Sequence, residues 1–157
     1  MKNLVAIFGG HDANITFYNA ETNKYYVIEL ERLVKKRYFR LHVDNSKEEQ
    51  YNILKQCQII AEKNWGVKND FEKVLMCSDG FIQVDPREIF NTQKITTVAR
   101  HHHCHAASSF YQSPFSQALI LSYDGGGDDG FFNVYVGNET GVKPVSYTHL
   151  RAHETRL

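Results

Sequence analysis

The sequence predicts an α/β fold built from a duplicated unit, with an incomplete second copy. Short apolar runs bounded by glycine and polar turns indicate strands, and one long segment has the apolar spacing of a helix. A strand followed by a glycine loop and a hairpin occurs twice, about a hundred residues apart. Strands that alternate with helices are typical of an α/β sheet.

The first copy of the unit begins near the N-terminus. Residues 4–8 form an apolar run that ends in Gly9-Gly10-His11-Asp12, which predicts a strand entering a tight turn. Residues 13–18 and 25–30 are rich in β-forming residues and flank a polar stretch. They therefore predict a hairpin.

A helix is predicted after this hairpin. Ser46 and Glu49 have the spacing of a capping box, apolar residues then recur at helical intervals, and Gly66 marks the end. Residues 74–77 and 95–98 predict two further short strands.

The second copy follows the same order. Residues 118–123 predict a strand, residues 124–130 a turn rich in Gly and Asp, and residues 131–136 another strand before a turn at 138–141. In a two-lobed fold of this kind, both glycine loops hold phosphate through backbone N–H groups. The candidate phosphate- or nucleotide-binding residues are Gly9, Gly10, Gly125, Gly126 and Gly127.

The repeat divides the chain into three segments. We assign residues 1–115 to a first lobe, 116–144 to the beginning of a second lobe, and 145–157 to a tail. Without partner elements the second lobe cannot bury its apolar face, so we expect this fragment to fold poorly alone.

The amino-acid composition excludes some classes of function. The 157 residues carry 18 Lys and Arg against 18 Asp and Glu, which excludes a strongly basic nucleic-acid binder and an acidic disordered tail. A hydrophobic fraction of 42% suffices for a single core. The sequence shows neither a bilayer-spanning run nor a secretory signal, so we expect a cytoplasmic protein with its three cysteines reduced.

Four of the eight histidines lie in the segment HHHCH at residues 101–105. In a helix, His101 and His105 are one turn apart and project from one face, so both can bind one metal ion, whereas the two histidines between them point elsewhere. Asp124 ends a buried strand where the second glycine loop begins and is the candidate third ligand. Two histidines and a carboxylate with open positions suit Fe²⁺, and equally Zn²⁺ or Mn²⁺.

Simpler interpretations exist for each feature. A His-x-x-x-His pair alone is weak evidence for a metal, and four histidines could form a solvated basic edge. Both glycine loops could be flexible turns, with Asp12 capping the backbone. The joint occurrence of two glycine loops with the histidine helix between them favours the functional interpretation.

Residues 145–155, VSYTHLRAHET, resemble a translated reading frame of a transposon-type sequencing adapter. On this interpretation the protein's own sequence breaks near Pro144, and His149 and His153 are not metal ligands. The alternative is an ordinary polar C-terminal tail.

Four motifs together resemble a known family: GGHDANITFYN, ELER followed by KKRYF, HHHCHAASSFYQSPFSQALIL, and YDGGGDDG. They resemble the N-terminal catalytic part of nodulation-type O-carbamoyltransferases. That family belongs to the actin-like ATPase superfamily, with its ribonuclease H-like lobes, and is related to the tRNA threonylcarbamoyl-transfer enzymes. The resemblance covers residues 4–144.

The resemblance implies an activity. In this family a C-terminal domain makes carbamoyl adenylate from carbamoyl phosphate and ATP, and the N-terminal domain transfers the carbamoyl group to a hydroxyl of a small molecule. The C-terminal domain and a downstream aspartate ligand would lie beyond this chain, so we expect the fragment itself to be inactive.

The resemblance also implies residue roles. The metal ligands fall on His101, His105 and Asp124, and the catalytic pair falls on His11 and Asp12, with His11 activating or positioning the acceptor. A family lysine falls on Arg37. Because arginine does not give up its proton, we assign Arg37 only a phosphate or carboxylate contact.

Two alternative functions stay open. One is threonylcarbamoyl transfer to tRNA, although the neutral net charge makes a nucleic-acid partner unlikely. The other is an ATP-dependent kinase or binding module of the same superfamily, which would have no use for a histidine-bound metal.

Overall fold

The computed structural model describes residues 2–41, 45–77, 82–98, 100–125 and 130–146. The strands are β1 (Asn3–Phe8), β2 (Asn14–Asn19), β3 (Lys24–Glu29), β4 (Phe71–Cys77), β5 (Ile95–Val98), β6 (Ala118–Tyr123), β7 (Phe132–Asn138) and β8 (Gly141–Ser146). The helices are α1 (Leu30–Val34), α2 (Lys47–Trp65) and α3 (His101–Tyr111), with a 3₁₀ turn at Pro86–Glu88. The predicted mixed α/β class is confirmed.

The chain divides into two compact units, Met1–Ala99 and Arg100–Leu157. The first unit holds a five-stranded sheet in the order β3-β2-β1-β4-β5. Strand β1 pairs antiparallel with β2 and parallel with β4, so it lies at the centre of the sheet. The predicted hairpin of β2 and β3 is confirmed, in antiparallel register from Asn14 opposite Glu29 to Asn19 opposite Lys24.

Helix α2 begins and ends where the sequence predicts. The Ser46 hydroxyl accepts a hydrogen bond from the Glu49 N–H, and the Ser46 N–H donates to the Glu49 carboxylate, which completes the capping box. Gly66 ends the helix with a φ of 64°, in the left-handed region that glycine adopts without strain. The helix buries Leu54, Cys57 and Ala61 in the core.

The core of the first unit is aromatic at one end. Phe71 and Phe90 meet edge to face at a centroid distance of 5.7 Å, and Phe17 lies 6.2 Å from the ring of Phe71. These side chains are at most 3% exposed, and Val5 and Ile7 of the central strand are fully buried beside them in the same core. Burial of this aromatic and aliphatic surface stabilises the sheet that carries the first glycine turn.

The second unit is a three-stranded antiparallel sheet in the order β6-β7-β8, with helix α3 packed against it. Ala106 and Phe110 of the helix form a small core with Tyr135 and Val142. The composition was consistent with a single core, whereas the described residues contain two clusters, one in each unit. Each unit contains an antiparallel β-meander. The duplication of a whole lobe stays a prediction.

Helix α3 belongs to the second compact unit because it packs on β6, β7 and β8. The compact units thus divide between residues 99 and 100, before the helix, whereas our lobe assignment placed that helix in the segment 1–115. The lobe and domain boundaries of the whole protein stay a prediction.

The sequence analysis did not predict helix α1 or strand β8. Strand β3 ends at Glu29, one residue early, because Leu30 begins the short helix α1 and is fully buried. Strand β8 includes Val145 and Ser146, which we had assigned to the tail, and pairs with β7. No helix in the described ranges is both long and apolar enough to cross a bilayer.

Gly137 allows α3 to approach the sheet closely. A Cβ atom at this position would lie 2.5 Å from Cδ2 of Phe110, closer than atoms can pack. We expect Gly137→Ala to lower the free energy of unfolding of the second unit by about 1–3 kcal/mol, measured by urea denaturation.

The double variant Gly137→Ala with Phe110→Leu is the control. Removing the ring that the new methyl group meets should recover part of the loss that Gly137→Ala causes. Strictly additive effects of the two substitutions would contradict the close approach.

Candidate metal centre

His101 and His105 lie one turn apart on α3, and their ring centroids are 4.5 Å apart. Their Nε2 atoms are separated by 3.0 Å. Asp124 follows β6 directly, and its Oδ2 lies 2.7 Å from Nε2 of His101 and 3.4 Å from Nε2 of His105. The structure therefore brings together the three residues that the sequence analysis named as metal ligands.

The backbone fixes the carboxylate of Asp124. The Gly125 N–H donates to Oδ1 at 2.6 Å, so the other oxygen, Oδ2, is the one that faces the histidines. The Asp124 N–H donates to the carbonyl of Phe131 at 3.1 Å, which closes the base of the loop between β6 and β7. Both contacts orient the carboxylate before any ligand binds.

These contacts also change the acidity of Asp124. The hydrogen bond from His101, followed by that from the Gly125 N–H, lowers the pKa of the carboxyl from 3.8 to about 2. The group is therefore a carboxylate at neutral pH, the form that binds a cation. The side chain of His101 is 24% exposed, that of Asp124 41%, and that of His105 55%, so solvent reaches the cluster.

Two of the three donor–donor separations match those around a metal ion, whereas the 2.7 Å between His101 Nε2 and Asp124 Oδ2 is a direct hydrogen bond that has to lengthen when both bind one ion. Bonds of about 2.0–2.1 Å at octahedral or tetrahedral angles place donor atoms roughly 2.8–3.4 Å apart. The separations of His105 Nε2 from the other two donors are 3.0 and 3.4 Å. All three donors lie within 4.8 Å of one another. Imidazole and carboxylate ligands suit Fe²⁺, Zn²⁺ and Mn²⁺.

A groove of about 390 Å³ adjoins the cluster. Its lining includes His105 and Ser109 of α3, and Tyr123 and Asp124 at the end of β6. A ligand in this groove would lie beside His105 and Asp124.

The two histidines inside the segment do point elsewhere, as predicted. His102 is fully buried and contacts Ser122 and Gly130 through its two ring nitrogens. Nε2 of His103 donates to the carbonyl of Val142 at 3.1 Å, and its ring stacks on Tyr135. Because His102 is buried, the segment is not a solvated basic edge.

The predicted catalytic pair lies in the first unit. His11 and Asp12 are both exposed and contact each other, with 2.9 Å between Nδ1 and Oδ2. The His11 ring meets Phe8 edge to face at 5.9 Å. Asp12 adopts a φ of 57°, as the predicted tight turn requires.

The predicted phosphate contacts have different surroundings. Gly9 and Gly10 are buried at the end of β1, and the Gly9 carbonyl accepts a hydrogen bond from the Leu41 N–H. Arg37 is exposed, with its guanidinium 5.3 Å from the ring centre of Tyr38. The N–H of Gly125 donates to Asp124. Gly126 and Gly127 lie outside the described residues. For all five glycines and Arg37, phosphate binding stays a prediction.

Sequence reasoning missed Ser122. Its hydroxyl contacts His102 at 2.8 Å, and its side chain is buried. The available signal was a polar residue within an otherwise apolar strand, on the side of β6 opposite to its neighbours Leu121 and Tyr123. Nothing in the sequence indicated which residue it would contact.

The sheets and the cluster define a mixed α/β protein with a candidate metal centre. The family described as "Carbamoyltransferase N-terminus" matches residues 14–151, which is most of the chain. The chain therefore belongs to the N-terminal family of the carbamoyltransferases.

Two curated proteins are similar over part of the chain. Nodulation protein NolNO of Sinorhizobium fredii is 39% identical over 72 residues, which are 46% of this chain and 10% of that protein. An uncharacterized protein of Methanocaldococcus jannaschii is 35% identical over 69 residues, 43% of this chain and 11% of the relative. Each similar stretch thus spans about a tenth of the relative's length.

A solved structure has a similar fold. The crystal structure of full-length HypF in the phosphate- and nucleotide-bound form matches with a TM-score of 0.61 and 17% sequence identity. The match covers 91% of this chain and 18% of HypF. At this identity the similarity concerns the fold alone.

We expect the Asp124 carboxyl of the metal-free protein to titrate with a midpoint at about pH 2, followed by carbon-detected NMR. In His101→Ala the midpoint should rise toward 3.8, since the imidazole hydrogen bond is lost while the Gly125 N–H stays. A lowered folded-state pKa stabilises the fold above the ordinary pKa, and this stabilisation is lost as the pH falls toward 2. Equal midpoints in both proteins would contradict the contact.

Proposed function

We propose that this chain is the N-terminal catalytic part of a carbamoyltransferase that transfers a carbamoyl group to a hydroxyl of a small-molecule acceptor. The observation that carries the proposal is the cluster of His101, His105 and Asp124 in a chain of the carbamoyltransferase N-terminal family. The donor in this proposal is carbamoyl adenylate, made from carbamoyl phosphate and ATP by a C-terminal domain. The whole relatives are about ten times as long as the matched stretch, which leaves room for such a domain.

The same proposal includes the finer fold assignment. We assign residues 1–115 to a ribonuclease H-like lobe of the actin-like ATPase type and residues 116–144 to the beginning of a duplicated lobe. The two antiparallel meanders, β1-β2-β3 and β6-β7-β8, support the assignment. Residues 147–157 lie outside the described residues, so the adapter origin of the tail stays a proposal.

In the proposed mechanism, His101, His105 and Asp124 hold one divalent metal ion, with Fe²⁺ favoured and Zn²⁺ or Mn²⁺ as alternatives. When bound, the ion supplies Lewis acidity that polarises the carbamoyl carbonyl. Asp124 contributes a full negative charge, and its lowered pKa keeps it ionised at acidic pH as well. The Gly125 N–H holds the carboxylate in place, so little reorganisation is needed on binding.

The acceptor hydroxyl needs a base. Asp12 accepts a hydrogen bond from Nδ1–H of His11 at 2.9 Å, which leaves Nε2 as the nitrogen that can take a proton. We propose that Nε2 of His11 accepts the hydroxyl proton as the new C–O bond forms and the bond from the carbamoyl carbon to the adenylate phosphate oxygen breaks, which releases AMP. Asp12 holds the ring in this tautomer.

The donor phosphate needs hydrogen-bond donors. Backbone N–H groups of the two glycine loops and the guanidinium of Arg37 are the proposed contacts. The even balance of 18 basic and 18 acidic residues gives no support to a tRNA acceptor, so a small molecule is the acceptor class we propose.

We expect His101→Ala or Asp124→Asn in the full-length enzyme to abolish carbamoyl transfer while adenylate formation by the other domain continues. Each change removes one of three metal ligands and leaves the proposed adenylate-forming domain unaltered. The measurements are carbamoylated product and carbamoyl-phosphate-dependent pyrophosphate release. Ser108→Ala, an exposed position on the same helix, is the control and should retain transfer.

Retained transfer in either ligand variant would refute the proposed mechanism. ATP hydrolysis that continues in the presence of a chelator selective for transition metals, without any carbamoyl product, would favour the kinase or binding-module alternative.

A further inference from the structure

His102 lies between the two proposed metal-ligating histidines in sequence and is fully buried. Its Nδ1 lies 2.8 Å from the hydroxyl of Ser122, and its Nε2 lies 2.8 Å from the carbonyl oxygen of Gly130. A buried imidazole with both nitrogens hydrogen-bonded is held in one orientation.

The partners determine the tautomer. A carbonyl oxygen only accepts hydrogen bonds, so Nε2 of His102 carries the hydrogen and donates to Gly130. In the neutral ring Nδ1 is then an acceptor, and the Ser122 hydroxyl donates to it. Both ring nitrogens of His102 are therefore used within the second unit.

The two partners flank the segment that carries Asp124. Ser122 precedes Asp124 by two residues in β6, and Gly130 stands next to Phe131, whose carbonyl accepts the Asp124 N–H. One side chain of α3 thus joins both ends of this segment to the helix that carries His101 and His105.

We propose that His102 is a positioning residue for the ligand cluster, holding Asp124 at the spacing that a divalent metal ion requires. The proposal rests on the metal-dependent function proposed above. His102 has no place among the donors of the cluster, so it acts through Asp124. Groups that orient metal ligands typically change metal affinity by 10–100-fold when they are removed.

His103 provides a matched comparison. It is the next residue of the same helix, its Nε2 also donates to a backbone carbonyl, and its ring stacks on Tyr135. Its partners belong to β7 and β8 and not to the segment around Asp124. The loss of His103 therefore measures what removing a hydrogen-bonded histidine from this helix does without any contact to the segment around Asp124.

The test is titration of the metal-free full-length protein with Co²⁺, followed by its ligand-field absorption, with Co²⁺ as a probe of the proposed site. His102→Phe keeps a ring but removes both hydrogen bonds, and we expect it to weaken Co²⁺ binding by about 10–100-fold. His102→Gln offers an amide N–H toward the Gly130 carbonyl and should restore part of the affinity. His103→Phe should bind Co²⁺ as the wild type does.

Each outcome decides the proposal. Equal Co²⁺ affinity and equal spectra for wild type and His102→Phe would overturn it, as would equal losses in His102→Phe and His103→Phe. If circular dichroism shows that His102→Phe does not fold, Ser122→Ala decides, and unchanged affinity in that variant overturns the proposal. If the wild-type protein does not bind Co²⁺, or if its Co²⁺ binding persists in His101→Ala, the proposed metal site is wrong as well.

Discussion

Helix α3 packs on β6 and β7, and this packing places His101 within 2.7 Å of Asp124. Phe110 lies against Gly137 at one end of the helix, and His102 is bonded to Ser122 and Gly130 at the other. The interface is therefore apolar where it is farthest from the cluster and hydrogen-bonded where it is nearest. Tight packing at one end leaves the helix little freedom to shift at the other.

The three proposed metal ligands are held in place in two different ways. His101 and His105 are fixed relative to each other by the pitch of one helix, whereas Asp124 depends on a loop base closed by hydrogen bonds to Phe131 and Gly125. Hydrogen bonds from His101 and from the Gly125 N–H stabilise the negative charge of Asp124 without a metal ion and lower its pKa. The charge and the spacing of the proposed metal site therefore come from residues of the second unit alone.

The sequence predicts those features that local rules determine. The Ser46 capping box and Gly66 bound α2 because both act within a few residues, and the spacing of His101 and His105 needs only helix geometry. The contact of Ser122 with His102 joins residues twenty positions apart and depends on how a helix packs on a strand. Helix α1 was missed because Leu30 continues the apolar pattern of strand β3 in the sequence. In the structure Leu30 begins the helix and is buried in the core.

Anomalous diffraction from crystals of the full-length protein grown with Mn²⁺ or Fe²⁺ tests directly whether His101, His105 and Asp124 bind one divalent metal ion. We expect an anomalous peak about 2.0–2.2 Å from both Nε2 atoms and from Oδ2 of Asp124. Well-ordered density for all three side chains with no anomalous peak between them, or a peak held by other residues, would contradict this expectation.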